Sequence, residues 1–343
     1  MQAVVMRGKE LVVEDIDLPE PYEHHAVVET LACGICGSDL HCLRHAEQFV
    51  ETSREGGMEV FVFDTDADLV MGHEMAGRIV RPASDGSGPP EGTAVAVMPG
   101  ITIPGQPLRA LGFTNSHPGG YAEQFIADAA QCLEIPNGID PTRAALTEPL
   151  AVGLHAVNAA GPDLSTGAVV LGCGPIGLTV IAWLAARGVS PLVAADFSPN
   201  RRALAVNMGA DIVVDPASTS AVDTWREAGG QEDNPPAMFE CVGVPGIIDQ
   251  AITMAPRHST IIIVGLCMEP DSFRPTMAIN RHVSLKFVLG WTPAEFRESL
   301  EAIANGAIDV EPLITAEVDL AGVPGAFDAL ASPLEHAKIL VVP

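Results

Sequence analysis

Through the first half of the chain the apolar positions come in short runs broken by Gly and Pro: "QAVVM", "HAVVETLA", "MAGRIV", "TAVAVM" and "YAEQFIA". Runs of this length predict strands. Residues 1–152 therefore read as an irregular β-rich domain. The opening "MQAVVMRGKELVVEDIDLPEP" alternates as a strand does and then turns acidic. Residues 44–70 fit no single pattern, being charged at first and β-like afterwards. They read as a loop or excursion.

From residue 153 strands alternate with helices. "AVVLGCG" (168–174) is a strand entering a glycine turn. "PIGLTVIAWLAARG" follows as a helix with Pro175 in its first turn and Gly188 as terminator. "PLVAAD", "DIVVD", "AMFECVG", "STIIIVG" and "VSLKFVLG" complete six strand candidates, with helical stretches between most of them. This alternation predicts an α/β fold with a doubly wound, parallel six-stranded sheet over 153–290. The tail, 291–343, carries a helix ("PAEFRESLEAIANG") and closes on a strand, "KILVVP".

Composition narrows the function classes. A chain of 343 residues is too long for one ordinary core, so two domains are expected. The net charge of -26 repels phosphate backbones and argues against a nucleic-acid partner. No run of about 18 or more apolar residues reads as a membrane span, and the N-terminal stretch lacks the order of a signal peptide. A cytoplasmic protein without a membrane partner is expected. The cysteines (33, 36, 42, 132, 173, 241 and 267) are odd in number and scattered, which does not suit a disulfide framework.

"GCGPIG", residues 172–177, fits the dinucleotide pattern GxGxxG. It follows an apolar strand and opens a helix, the context the motif requires. Gly172 permits the tight turn, Gly174 lets a pyrophosphate approach the backbone, and Gly177 lets the helix pack on the sheet. Asp196, at the end of the second strand, can accept hydrogen bonds from both ribose hydroxyls, which favours NAD over NADP. Arg201, five residues on, argues the other way, since it could neutralise a 2′-phosphate. A plain turn residue is the bland alternative for Asp196. Pro175, Ile176, Val242, Val264 and Leu266 complete the candidate cofactor-binding set.

"LACGICGSDLH" (31–41) raises four readings for Cys36: a disulfide, a redox pair with Cys33, a metal ligand, or no role. His73 and Glu74 follow in "GHE", and Glu148 much later in "TEPLAVGLHA". Cysteine, histidine and carboxylate all ligate zinc, and three protein ligands with an open position describe a catalytic site. At these separations, spacing alone favours a buried structural cysteine and a satisfied core histidine.

Five stretches change that balance. "ACGICGSDLH", "GHEMAGRIV", "EPLAVGLHA", "VVLGCGPIGL" and the closing "GAFDAL…HAKILVV" resemble, in order, the zinc-dependent medium-chain dehydrogenase/reductase (alcohol dehydrogenase) family. The form "EPLAVG.HA" is more similar to its polyol and secondary-alcohol branch than to the liver alcohol dehydrogenase type. The resemblance implies a GroES-like catalytic domain formed by 1–152 and 291–343 around the dinucleotide-binding domain. It implies that Cys36 and His73 are zinc ligands, that Glu148 takes the third position, and that Glu74 ligates directly or stands behind. Asp39 would fix the His73 tautomer, Ser38 would take the alcohol's proton, and His41 would pass it to water. Met98, Leu289 and Trp291 become candidates to line the substrate or nicotinamide pocket, with ordinary core packing as the alternative. Cys33 is then a packed neighbour. The redox reading is also poor because Gly37–Ser38 suit a turn rather than a helix.

Two departures qualify the resemblance. Many family members hold a second, structural zinc on four closely spaced cysteines, but residues 98–121 contain none. One catalytic zinc and no structural zinc are expected. The interval from Cys36 to His73 also exceeds the family habit, which should reshape the pocket mouth. The implied activity is reversible, NAD-linked oxidation of an alcohol, secondary in the first instance, by a homo-oligomer (dimer or tetramer). A sugar or polyol dehydrogenase is the alternative, and a non-catalytic dinucleotide-binding protein on this fold is a second.

Overall fold

A computed structural model describes residues 1–331 and 336–343. Residues 332–335, within the segment expected to close the catalytic domain, lie outside the described residues. The fold is α/β, with a dinucleotide-type parallel sheet beside a β-rich, GroES-like N-terminal part.

The parallel sheet has six strands. Its order runs Ile212–Val214, Leu192–Ala195, Ala168–Leu171, Ala237–Glu240, Thr260–Ile263, Ser284–Phe287. Ala168–Leu171 is the first strand in sequence and lies centrally, so the strand order reverses beside it. Ligand crevices form at the carboxyl ends of strands at such a switch point. The central strands are buried because helices cover both faces, which is why they read as continuous apolar runs rather than alternating ones.

A seven-stranded sheet gathers strands from both ends of the chain. His25–Gly34 runs antiparallel to Glu74–Arg81, to Gln124–Asp128 and to the closing strand Lys338–Val341. Gly34 lies opposite Glu74 in one pairing and opposite Leu340 in the other. These registers bring residues 34–36, 73–74 and 338 to one edge of the sheet. The N-terminal stretch is a hairpin rather than one strand: Gln2–Arg7 pairs with Glu10–Asp15, and Gly8 turns at φ +60°.

Two expectations need correction. Residues 44–70 are not mainly loop, because 44–55 continue the helix Gly37–Glu55, which is kinked at His45. A 3-10 turn (Glu59–Phe61) and a short strand (Leu69–Val70) follow. Phe49, Phe61 and Phe113 pack ring against ring and anchor this excursion, which its charged surface positions masked. Likewise Gly37–Ser38 form the first helical turn, with Cys36 as its N-cap. The expected boundary at 152/153 falls within the helix Thr147–Ala160. That at 290/291 falls between the strand Ser284–Phe287 and the helix Pro293–Ala304.

Candidate active site

Cys36 closes the link between a buried strand and a helix. Its backbone N–H donates to Asp39 Oδ2 at 2.9 Å, the reciprocal half of a capping box. Asp39 is thereby turned inward and buried, where the Tyr121 hydroxyl donates to the same oxygen at 2.6 Å. The other oxygen, Oδ1, stands 3.3 Å from His73 Nδ1, an ion-pair contact without the alignment of a hydrogen bond. Burial works to raise the Asp39 carboxyl. The His73 imidazole, with the hydrogen bonds from Tyr121 and the Cys36 amide, outweighs it and holds the group below the usual range.

Ligand atoms of Cys36, His73 and Glu74 lie within 4.8 Å of one another. Glu74 Oε1 accepts from Lys338 Nζ at 2.6 Å, while Oε2 is buried without a hydrogen-bond partner among the described residues. An orphaned carboxylate oxygen beside a sulfur and an imidazole is a donor set that suits zinc. Room for that oxygen depends on Gly34, because a Cβ there would stand 1.9 Å from Glu74 Oε2. Glu148, in the first turn of its helix, accepts from Trp291 Nε1 at 2.8 Å and stands outside that trio. Burial raises its carboxyl, Glu74 adds to the rise, and His73, Trp291 and Lys338 oppose it.

Ser38 Oγ lies 3.5 Å from His73 Nε2. His41 is one turn further along the same helix, so the two side chains share a face. Burial, reinforced by His45 and Arg44, lowers the His41 imidazole below its ordinary value, which favours its neutral form. A neutral imidazole can accept a proton. Met98 is buried in a small apolar cluster with Phe296, and Trp291 packs at its edge. Leu289 instead is 58% exposed. A cavity of ≈ 630 Å³ opens beside the excursion, lined by Val50, Arg54, Phe63 and Arg109 among others and by none of the candidate metal ligands.

At the switch point, the helix Pro175–Ala186 begins at Gly174. A Cβ on Gly177 would stand 1.9 Å from the Gly172 carbonyl, so this turn closes only with glycine at 177. Ile176 follows Pro175 in the same first turn. Asp196 holds the turn through Oδ2, which accepts the Cys173 N–H, and Oδ1, which accepts the Ser198 N–H, both at 2.8 Å. The Arg201 guanidinium lies over the turn, 3.9 Å from where a Gly174 side chain would begin. Val242 and Leu266 leave apolar side chains 43% and 42% exposed just beyond the strand ends, and Val264, beside them, is partly buried.

Sequence reasoning overlooked Lys338 and Tyr121. Lys338 is buried, donates to Glu74 and to the Ile35 carbonyl (3.0 Å), and is held above its ordinary value. Burial opposes that rise, and Glu74, Cys36 and Glu148 outweigh it. The available signal was a single lysine opening an otherwise apolar closing strand. Tyr121 opens "YAEQFIA", which reads only as a strand and gives no sign of a contact with Asp39, 82 positions away.

The chain matches two family models in sequence order, "Alcohol dehydrogenase GroES-like domain" over residues 22–137 and "Zinc-binding dehydrogenase" over 175–305. It is 29% identical to (R,R)-butanediol dehydrogenase of Bacillus subtilis, over 98% of this chain and 97% of that one. The solved structure of the 2R,3R-butanediol dehydrogenase of that organism superposes with a TM-score of 0.85 at 28% identity, covering 100% and 99% of the two chains. Sorbitol dehydrogenase of Bos taurus is 27% identical over 96% of this chain and 92% of its own. A putative zinc-binding dehydrogenase from Sinorhizobium meliloti, solved with NADP bound, superposes at 0.83 with 26% identity over 100% and 99%. Matched in both parts and aligned nearly end to end with such relatives, the chain belongs to the zinc-binding medium-chain alcohol dehydrogenase family.

Proposed function

We propose that this zinc-dependent dehydrogenase oxidises a secondary alcohol to a ketone, reversibly, with NAD. The observation that carries the reading is the buried convergence of Cys36, His73 and Glu74 beside Ser38. Cys36, His73 and a carboxylate would hold the zinc, with Glu74 the carboxylate nearest the other two and Glu148 behind it. Zinc bound there supplies Lewis-acid polarisation that makes an alcohol easier to deprotonate. Ser38 accepts the hydroxyl proton and His41 passes it outward. Asp39, held by Tyr121, orients His73. The glycine turn and Asp196 hold the dinucleotide so that its nicotinamide end reaches the cleft.

A polyol or vicinal diol is the second reading, and the names of the butanediol and sorbitol relatives favour it. An NADH-absorbance screen over secondary alcohols, diols, polyols and hydroxy-terpenoids or steroids tests both. Turnover confined to polyols would select the second, and no turnover on any class would leave the dinucleotide-binding alternative. We infer self-association too. Ser284–Phe287 is an edge strand, and its last residue, Phe287, is 67% exposed, a combination that proteins ordinarily cover. Light scattering reads the mass directly.

A further inference from the structure

A second group of metal-type donors lies away from the candidate active site. His24 precedes and His25 opens the strand His25–Gly34, and Asp128 ends the strand that pairs with it, directly opposite His25. Thr102 follows the short strand Gly100–Ile101 and donates its N–H to both Asp128 oxygens at 3.1 Å. Its carbonyl oxygen is 3.1 Å from His24 Nε2 and 2.9 Å from His25 Nε2. Asp128 Oδ1 is 3.8 Å from the first of these nitrogens and 3.0 Å from the second.

Four donor atoms from three separate segments therefore converge. Zinc bonds of roughly 2.0–2.2 Å in a tetrahedron set ligand atoms about 3.3–3.6 Å apart. The separations here, 2.9 to 3.8 Å, bracket that spacing. The Thr102 carbonyl has two lone pairs and can accept from both imidazoles. His25 can donate from Nε2 while its Nδ1 accepts the Tyr22 N–H at 3.3 Å. His24 then directs a second Nε2 at the same carbonyl, with the two rings 4.3 Å apart. A cation among the four atoms would replace these two hydrogen bonds with bonds to one centre.

His117 supplies an independent observation. Its ring packs edge-on against His25 at 5.7 Å, and the residue is 5% exposed. Its Nδ1 meets Ser116 Oγ, but its Nε2 is buried without a hydrogen-bond partner among the described residues. A third imidazole thus stands against the cluster with an unmet bonding need.

We propose that His24, His25, Asp128 and the Thr102 carbonyl form a second divalent-cation site that takes zinc. Two imidazole nitrogens with two oxygens favour zinc over calcium or magnesium, which prefer all-oxygen shells. The site would pin the root of segment 98–121, through Thr102, to the sheet. That segment lacks the four thiolates of a structural zinc, so this is a different site built from different residues. His24 is partly exposed and offers the ion a route in.

The full chain, dialysed against zinc chloride, freed of loosely held ion by gel filtration and counted by elemental analysis, tests this. Wild type should hold one more zinc per chain than His24→Gln, whatever the active site retains. His24→Gln should keep wild-type alcohol oxidation and lose the rise in melting temperature that added zinc gives wild type. His25→Gln should behave likewise. Because His25 is buried and its replacement threatens folding, the exposed His24 variant decides. Equal zinc counts in wild type and His24→Gln, with the same melting response to zinc, would overturn the proposal.

Discussion

Lys338 Nζ and Glu74 Oε1 are 2.6 Å apart, and both side chains are buried. A buried ion pair adds little over an apolar pair, but removing one partner strands the other charge. Lys338→Met should destabilise the metal-free protein by about 3–5 kcal/mol. The double variant Lys338→Met/Glu74→Leu should recover most of that loss, because no charge is then left unpaired. Denaturant unfolding of the four proteins gives the coupling. Additive losses would mean that the two charges do not depend on each other.

Gly34 lies opposite Glu74 in the sheet and leaves space for its free oxygen. Gly34→Ala forces that carboxylate to move. Zinc affinity should fall by roughly 10–100-fold, as for other changes to the groups that orient a ligand. Competition with a chromophoric chelator measures it, and circular dichroism should be unchanged. Unaltered zinc affinity would remove Glu74 from the ligand set.

Asp196 and Arg201 take different positions about the glycine turn. Arg201 Nη1 lies 3.9 Å from where a Gly174 side chain would begin, so in the proposed reading it would meet the pyrophosphate rather than the ribose. Arg201→Ala should weaken NAD and NADP alike. Asp196→Ala should lower kcat/KM for NAD by about tenfold or more, as expected for losing hydrogen bonds to a charged group, and should narrow its advantage over NADP. Selective loss of NADP use in Arg201→Ala would assign that residue to a 2′-phosphate instead.

His117 shapes acid stability. Burial, with His25 beside it, lowers its imidazole to about 4, against 6.5 in the unfolded chain. Between those values the unfolded chain binds a proton that the folded chain refuses. Stability should therefore decline as pH falls from 6.5 towards 4 and be restored as pH rises. His25, lowered by burial, acts in the same direction. His117→Asn should flatten the melting temperature across that window. An unchanged slope would assign acid sensitivity to other groups.

Much of this architecture was legible because its signals are local. The strand–glycine–helix unit at 168–186 declares itself through apolar runs and the φ demands of Gly172. The helix Gly37–Glu55 was missed along its whole length, because its start reads as a glycine turn and its buried face rests on aromatics far away in sequence, such as Phe113. Cys36 and His73 were named through the resemblance. Their meeting follows from the pairing of Gly34 with Glu74, which no local pattern encodes. Lys338 was illegible for a related reason: a lysine in a strand reads as surface until its partner, 264 positions away, is known.

The most direct measurement compares initial rates of NADH formation with NAD binding by calorimetry, in wild type, Cys36→Ser and His73→Ala. The candidate metal ligands lie on the β-rich part and the glycine turn on the parallel sheet, so chemistry and cofactor binding should separate. Both variants should fall to background turnover with any alcohol that wild type oxidises, while NAD affinity stays within a few-fold of wild type. Turnover comparable to wild type in either variant would contradict zinc-dependent chemistry at this site.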